Sequence, residues 1–483
     1  AAERVAARLE TVAGAAAAEA SRLNRPVLAW ASAHVAPVDV IEVFARAAAL
    51  AKSRTLWMHP DTGSAILGIE SAWRYETEGP TRFKNAGRAW RALIDTAVGE
   101  GDPDHEARPP VAMAGFAFAP GPAGGSEWDG FPSGVLTLPA LTVRQTRAGT
   151  VLTLAALVDP QTAAPARERL TETWLNLAAS SRSQSHGARG ETRHNEVRRI
   201  VDEQPSAAQW KAEVAAAAAA VRSGVLQKVV LARQIKIDKV SAGEADMMRR
   251  LQEDYSGCTV FAVGRGDRCF LGATPELLVR VEGGTVTTGA LAGSAPRGLT
   301  PDEDRGYGSA LLASRKDRLE HAVVVEDLRQ TIDEVCTDVS AGTPPILLRV
   351  ANVQHLFTPI TGRLRRDLCI LDLVERLHPS PAVGGLPREA ALAWMKQHEG
   401  FDRGWYAGPI GWVNHRGEGE FAVAIRSALL RGREALLFAG CGIMADSDPE
   451  LEYTESQLKL QSMLSALGDG PAFADEPARL VDP

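Results

Sequence analysis

Cysteine is scarce in this chain: five among 483 residues, at Cys258, Cys269, Cys336, Cys369 and Cys441, with no C-x-x-C pair. An odd, scattered set argues against a disulfide framework or a thiolate zinc centre and fits a reducing cytoplasm. Long apolar runs are missing too. Nothing approaches the roughly 20 residues that cross a bilayer. The Ala-rich start, Ala1–Ala20, carries Glu3, Arg4, Arg8, Glu10 and Glu19, which is the pattern of an amphipathic helix and not of a signal-peptide core. There is no basic excess. With 53 Lys and Arg against 60 Asp and Glu the net charge is −7, which argues against nucleic acid as the main partner. P-loop, dinucleotide-binding, zincin and nucleophile-elbow signatures are also absent. The RGD tripeptide, Arg265–Asp267, reads as a turn.

What is present is an ordinary globular composition, 45% apolar and 23% charged. The length fits about three domains or one large intertwined core. Short strand-like runs occur at Pro26–Trp30, Thr55–Met58, Ala112–Phe118 and Gly149–Leu154, broken by Gly/Pro clusters. No motif in this part bears chemistry. Residues 1–200 therefore read as a structural half that ends in a polar linker near 179–205. From 206 to 470 the pattern sharpens. Ser206 is a natural N-cap and Gly224 a natural helix stop. Lys228–Ile237, Cys269–Ala273, Leu277–Val281 and Thr285–Thr287 read as strands, the last two joined by Gly283-Gly284. Residues 302–340 and 450–467 read as helices; Trp405–Ile410, Phe421–Leu430 and Glu434–Ala439 read as strands. Residues 471–483 form a tail. The class is α+β, with large antiparallel sheets packed by helices around one intertwined core, and not a doubly wound parallel sheet.

Two acidic pairs stand out. Asp317 and Glu320 are three apart, as are Glu452 and Glu455, so on helices each pair shares a face; Lys459 follows Glu455 by four. Either pair alone reads as a solvated helix face. Together they offer a hard, all-oxygen site of the kind that suits Mg²⁺. Arg426, flanked by apolar residues, would make a bidentate carboxylate fork, and otherwise pairs with a structural acid. Gly440 and Gly442 allow close approach to a ligand, and otherwise make a tight turn.

Eight ordered segments carry a resemblance to a known family. They are Lys228–Arg233, Ala273–Leu277, Leu291–Gly298, Lys316–His321, Val353–Leu356, His378–Gly385, Gly404–Gly411, and Gly-Cys-Gly at 440–442 with Glu-x-x-Glu-x-x-x-Lys at 452–459. In these the chain resembles the chorismate-utilising enzymes, and among them most nearly the isochorismate synthases of menaquinone or siderophore type. The likeness runs from about 206 to 467 and is weak before that.

The resemblance implies a Mg²⁺-dependent enzyme that converts chorismate to isochorismate. It would work as a monomer, without an amidotransferase partner. Lys228 stands where water-adding members carry a lysine, and is implied as general base at ring carbon 2. Glu276 is implied as the general acid for the hydroxyl leaving carbon 4. A free Lys near pKa 10.4 and a free Glu near 4.3 are poorly matched to those tasks, so burial would have to move both. Glu320 and Glu455 would be the principal metal ligands. Glu452 and Asp317 would hold metal waters or stand behind, and Asp317 departs from a Glu that some members have. Arg426 and Tyr406 would bind the enolpyruvyl carboxylate, assisted by Gly440, Gly442 and Lys459. Gly293, Ser294 and His355 would line the pocket. Ala382 occupies a position where salicylate and anthranilate synthases tend to carry Thr. The alternatives are a salicylate synthase of the same family and a non-catalytic chorismate-binding protein.

Overall fold

Alternation with period two divides the residues of the central strands between two cores. Phe261, Val263, Phe270 and Phe438 face one; Val260, Ala262, Leu271 and Leu437 face the other. The computed structural model describes residues 2–101, 109–121, 126–159, 199–351 and 353–468. The expected tail and most of the linker lie outside the described residues. The end of that linker is different from its reading. Arg199–Gln204 is a strand on the edge of Lys228–Asp238. Its polar composition disguised it, since an edge strand with an exposed face needs few apolar residues.

The described strands form one hydrogen-bonded network of 21, antiparallel except where Val27–Val35 meets Val98–Glu100. Two arms run through it. The first orders Ser53–His59, Thr259–Arg265, Arg268–Thr274, Ser427–Arg431, Glu434–Ile443 and Lys228–Asp238. The second orders Ala112–Phe116, Pro409–Val413, Gly419–Val423, Leu277–Glu282, Thr285–Pro296 and Val353–Leu364. Ser64–Thr77 and Gly134–Thr146 tie the two together. Both arms thus interleave strands from either end of the chain. The core they share is aromatic, built from Trp57, Phe116, Phe131, Phe261, Phe270, Trp405 and Phe421. The second core lies under the helices Ala2–Leu23, Val40–Arg46, Glu244–Asp254 and Pro449–Leu467. Among the described residues no helix is long and apolar enough to cross a membrane.

Local signals behave as their chemistry requires. Ser206 closes a capping box with Gln209 at the start of Ala207–Arg222, and Gly224 takes φ +79° just past its end. Gly283 and Gly284 adopt φ +55° and +74°, the pair a two-residue hairpin turn demands. Three expectations need correction. Residues 302–340 hold two helices, Pro301–Ala313 and Arg315–Val335, but the chain leaves the second at Cys336 as the strand Cys336–Ala341. Trp405–Ala407 is a turn, and the strand is Pro409–Val413; the apolar character of 405–407 comes from burial in the core and not from a ladder. Phe421–Leu430 is two strands, Gly419–Val423 and Ser427–Arg431, parted at Ala424–Arg426.

That parting is the point on which the site turns. Gly419–Val423 belongs to the second arm and Ser427–Arg431 to the first, so residues 424–426 cross between arms. Thr274-Pro275-Glu276 does the same in the other direction, from Arg268–Thr274 to Leu277–Glu282.

The shared core should be the main source of stability. Phe270 has no exposed surface and packs within 5.3 Å of Trp128 and 5.5 Å of Phe261, ring centre to ring centre. Phe270→Ala should cost about 3–5 kcal/mol, read as a lowered urea midpoint; an unmoved midpoint would refute the packing described.

Candidate active site

The two crossovers run side by side and brace each other. Thr274 Oγ1 donates to Val423 O at 2.7 Å, Val423 N to Glu276 O at 3.0 Å, and Ala273 N to Arg426 O at 3.1 Å. Arg426 takes φ +51°, which turns its side chain out of the ladder. The residue is 7% exposed, and its guanidinium forms no hydrogen bond or ion pair with the described residues. Burial pulls its pKa below the ordinary arginine value, with Cys258 and Tyr406 opposing. An arginine stays charged regardless, so this is a buried cation that awaits an anion. The alternative of a structural acid partner is excluded among the described residues.

Glu276 shares the same gap. Burial pushes its pKa up to about 7, against the pull of Lys228, Lys459 and Arg426. Near neutrality it is therefore partly protonated and able to give a proton.

Both residues line a cleft of about 720 Å³, counting its open mouth. Of the other residues singled out in the sequence, Gly293, Ser294, Glu320, His355, Ala382, Tyr406, Gly440, Gly442, Glu455 and Lys459 also line it. Lys228, Asp317 and Glu452 do not. Lys228 lies just behind the wall, fully buried, with Nζ 2.8 Å from Glu320 Oε1. Gly442 makes this possible. A Cβ there would strike Glu320 Oε1 and come within 2.8 Å of Lys228 Cε. Gly440 likewise leaves room: a Cβ would stand 3.0 Å from the Tyr406 hydroxyl. Burial lifts the Tyr406 phenol to about 12, so it stays a neutral donor.

A bulge at Gly293, φ +77°, breaks the register between Ala292 and Ser294 and turns this strand toward the cleft. Ser294 Oγ and His355 Nδ1 hydrogen-bond at 2.9 Å. Burial, then Arg426 and Lys459, hold His355 well below the usual histidine range, so it is neutral; its buried Nε2 has no protein partner.

The carboxylates arrive on two helices, Arg315–Val335 and Pro449–Leu467. Glu320 and Glu455 both face the cleft, each with a lysine on one oxygen: Lys228 on Glu320 Oε1, and Lys459 on Glu455 Oε1 at 2.7 Å. Each keeps a second oxygen without a hydrogen bond among the described residues. Burial works against ionisation of Glu455, but Lys459, Lys316 and Arg426 win and hold its pKa down. Lys459 also donates to Gly440 O at 2.9 Å. Burial opposes its charge, yet acidic neighbours, Glu455 among them, keep its pKa above the ordinary lysine value.

Glu452 stands one layer back. Its Oε1 accepts from Lys316 Nζ at 2.8 Å and Ser447 Oγ at 2.7 Å, while burial and Glu455 raise its pKa. Asp317, in the first helical turn capped by Ser314, is raised chiefly by burial. Two free carboxylate oxygens at the cleft, with carboxylates behind, form a hard donor set that fits Mg²⁺. Cys441 Sγ lies within 4.8 Å of donor atoms of Glu452 and Glu455. Burial keeps it a neutral thiol, so it adds no charge to that set.

Sequence reasoning missed Arg403, which lines the cleft, and its partner Glu399. The signal was their spacing of four, which looks like any exposed helical pair.

A family model described as chorismate binding enzyme matches residues 14–468. The chain is 35% identical to the isochorismate synthase MenF of Bacillus subtilis, over 93% of this chain and 95% of that protein. It is 38% identical to the salicylate biosynthesis isochorismate synthase of Pseudomonas aeruginosa, over 93% and 92%. The fold is shared with MenF, the menaquinone-specific isochorismate synthase of Escherichia coli (TM-score 0.72, 24% identity, 94% of this chain and 99% of that one). It is shared also with anthranilate synthase component I of Streptococcus pneumoniae (TM-score 0.64, 21% identity, 83% and 92%). With its cleft walled by the residues that carried the resemblance, the chain belongs to the chorismate-binding enzyme family.

Proposed function

We propose that this protein is a Mg²⁺-dependent isochorismate synthase. The observation that carries the reading is a partly protonated acid and a cation with no partner among the described residues at one cleft, with a buried amine just behind its wall, on Glu320. The charge of Lys228 pulls down on the Glu276 pKa, against burial, which supports reading the two groups together.

Arg426 binds the enolpyruvyl carboxylate of chorismate, with the Tyr406 hydroxyl as a second donor. Glu320 and Glu455 would hold the magnesium ion, which when bound supplies positive charge against the ring carboxylate. Lys228 takes a proton from the water that attacks ring carbon 2. Glu276 gives a proton to the hydroxyl at carbon 4, which leaves as water, while the ring double bonds shift between them. One water enters and one leaves, so no oxidant or reductant is needed. The small side chain of Ala382 leaves the enolpyruvyl group undisturbed, which favours stopping at isochorismate. The two full-length relatives named above are both isochorismate synthases, which supports the same product.

Incubation with chorismate and Mg²⁺ should give isochorismate, with no salicylate fluorescence and no pyruvate in a lactate-dehydrogenase-coupled assay. Salicylate or pyruvate would move the assignment to the salicylate-forming branch. Lys228→Ala should lower turnover by about 10²–10⁴-fold with the circular dichroism unchanged; near-native turnover would remove it as the base.

The acid works only when protonated. Its pKa is raised to about 7, so kcat/KM should fall as pH rises through that value. A profile flat across neutrality would count against Glu276. Glu455→Gln should weaken Mg²⁺ binding, measured by calorimetry, by at least about tenfold; an unchanged isotherm would rule out ligation.

A further inference from the structure

The strand Lys228–Asp238 is bordered on one side by Glu434–Ile443 along its length. Its other edge is covered only in pieces. Gly385–Leu386 pairs with Val229 and Lys228, and Arg199–Gln204 pairs from Gln234 onward. Between them, Val230–Arg233 has no strand partner on this second edge among the described residues.

A buried ion pair fills that opening. Arg403 Nη2 donates to Val230 O at 2.8 Å, and Glu399 Oε1 accepts from Ala232 N at 2.9 Å. The two side chains grip each other through Arg403 Nε to Glu399 Oε2 at 2.8 Å and a second contact from Nη2 to Oε1. Arg403 Nη1 also donates to Val383 O at 2.9 Å, beside Ala382. Phe118 lies under the guanidinium at 4.3 Å. Residue Val230 is the next after Lys228 on the same face of the strand, so fixing its carbonyl fixes the lysine's base.

A guanidinium has five N–H donors. Four of those on Arg403 are taken, which leaves little with which to recognise a substrate acid. Arg426, with none taken, has that role. Arg403 touches the cleft but is committed to the protein.

We infer that the Glu399–Arg403 pair is a positioning device, holding the Lys228 strand and the Ala382 loop at a set separation across the substrate ring. The inference rests on the reading of Lys228 as the base. Misplacement of a catalytic group by about 1 Å can cost about 10²-fold in rate. Three main-chain anchors on one ion pair, two on the strand and one on the loop, give the control needed to prevent that.

The test uses Arg403→Lys and Glu399→Gln in the full chain, with kcat expressed per folded molecule from the unfolding transition. Lysine keeps the charge but cannot reach Glu399, Val230 O and Val383 O together. Glutamine keeps the shape but not the charge. Positioning predicts that kcat falls by about 10–100-fold while KM for chorismate moves by a smaller factor. If kcat per folded molecule holds, or if KM bears the larger share, the proposal is overturned: the pair is then only structural, or binds substrate directly. Should Arg403→Lys fail to fold, Glu399→Gln decides; failure of both to fold also overturns the proposal in favour of a purely structural part. Product identification with the unaltered enzyme tests the parent reading separately. If that enzyme makes another product, the parent reading fails, and kcat on that product still reports on the pair.

Discussion

A strand that belongs to two sheets must let go of one ladder before it joins the next. Here that happens twice, side by side, at Thr274–Glu276 and Ala424–Arg426, and the rest of the site depends on it. At such a crossing the backbone has no neighbour strand, so side chains aim into the gap between the arms. The chain places an acid on one crossing and a cation on the other. The main-chain bonds from Val423 to Glu276 and from Ala273 to Arg426 keep them in register.

The charges around the gap differ by how far their partners satisfy them. Lys459 is tied to Glu455 and to a carbonyl, and Glu452 is held by Lys316 and Ser447; both are built in. Arg403 has nearly all its donors engaged. Among the described residues, Arg426, the Glu276 carboxyl and the second oxygens of Glu320 and Glu455 are left without a protein partner at the cleft. In a buried setting an unmet charge is expensive, and a charged ligand relieves that cost. On the proposed function, the unmet groups mark where a dianion and a divalent ion would sit, and the satisfied ones mark the frame.

Much of this was legible in the chain itself. Gly440 and Gly442 flank a single small residue, so close approach is a fair expectation, whereas Glu276 stands out only through the family resemblance. The helix caps at Ser206 and Gly224 carried their own chemistry. The break at Ala424–Arg426 did not show, because an apolar run reads the same whether it stays in one sheet or passes between two. Nor did Arg199–Gln204, whose polar face at a sheet edge resembles a loop. Glu399 and Arg403 were hidden for a different reason. Their partners are backbone atoms at Val230, Ala232 and Val383, far away in sequence, and a main-chain partner leaves no mark on residue identity. Lys228 was visible as a residue, but its distance from the open cleft was not, since that depends on the missing side chain at Gly442.

The bracing of the two crossings has a mechanical consequence. Glu276 and Arg426 are welded to the same hydrogen-bonded plate, so neither can be moved without dragging the other. Drift along the enzyme's lineage toward a differently shaped acid would more easily proceed from the Ser380–Gly384 loop, whose main-chain hydrogen bonds run to itself and to Val230 and not to that plate.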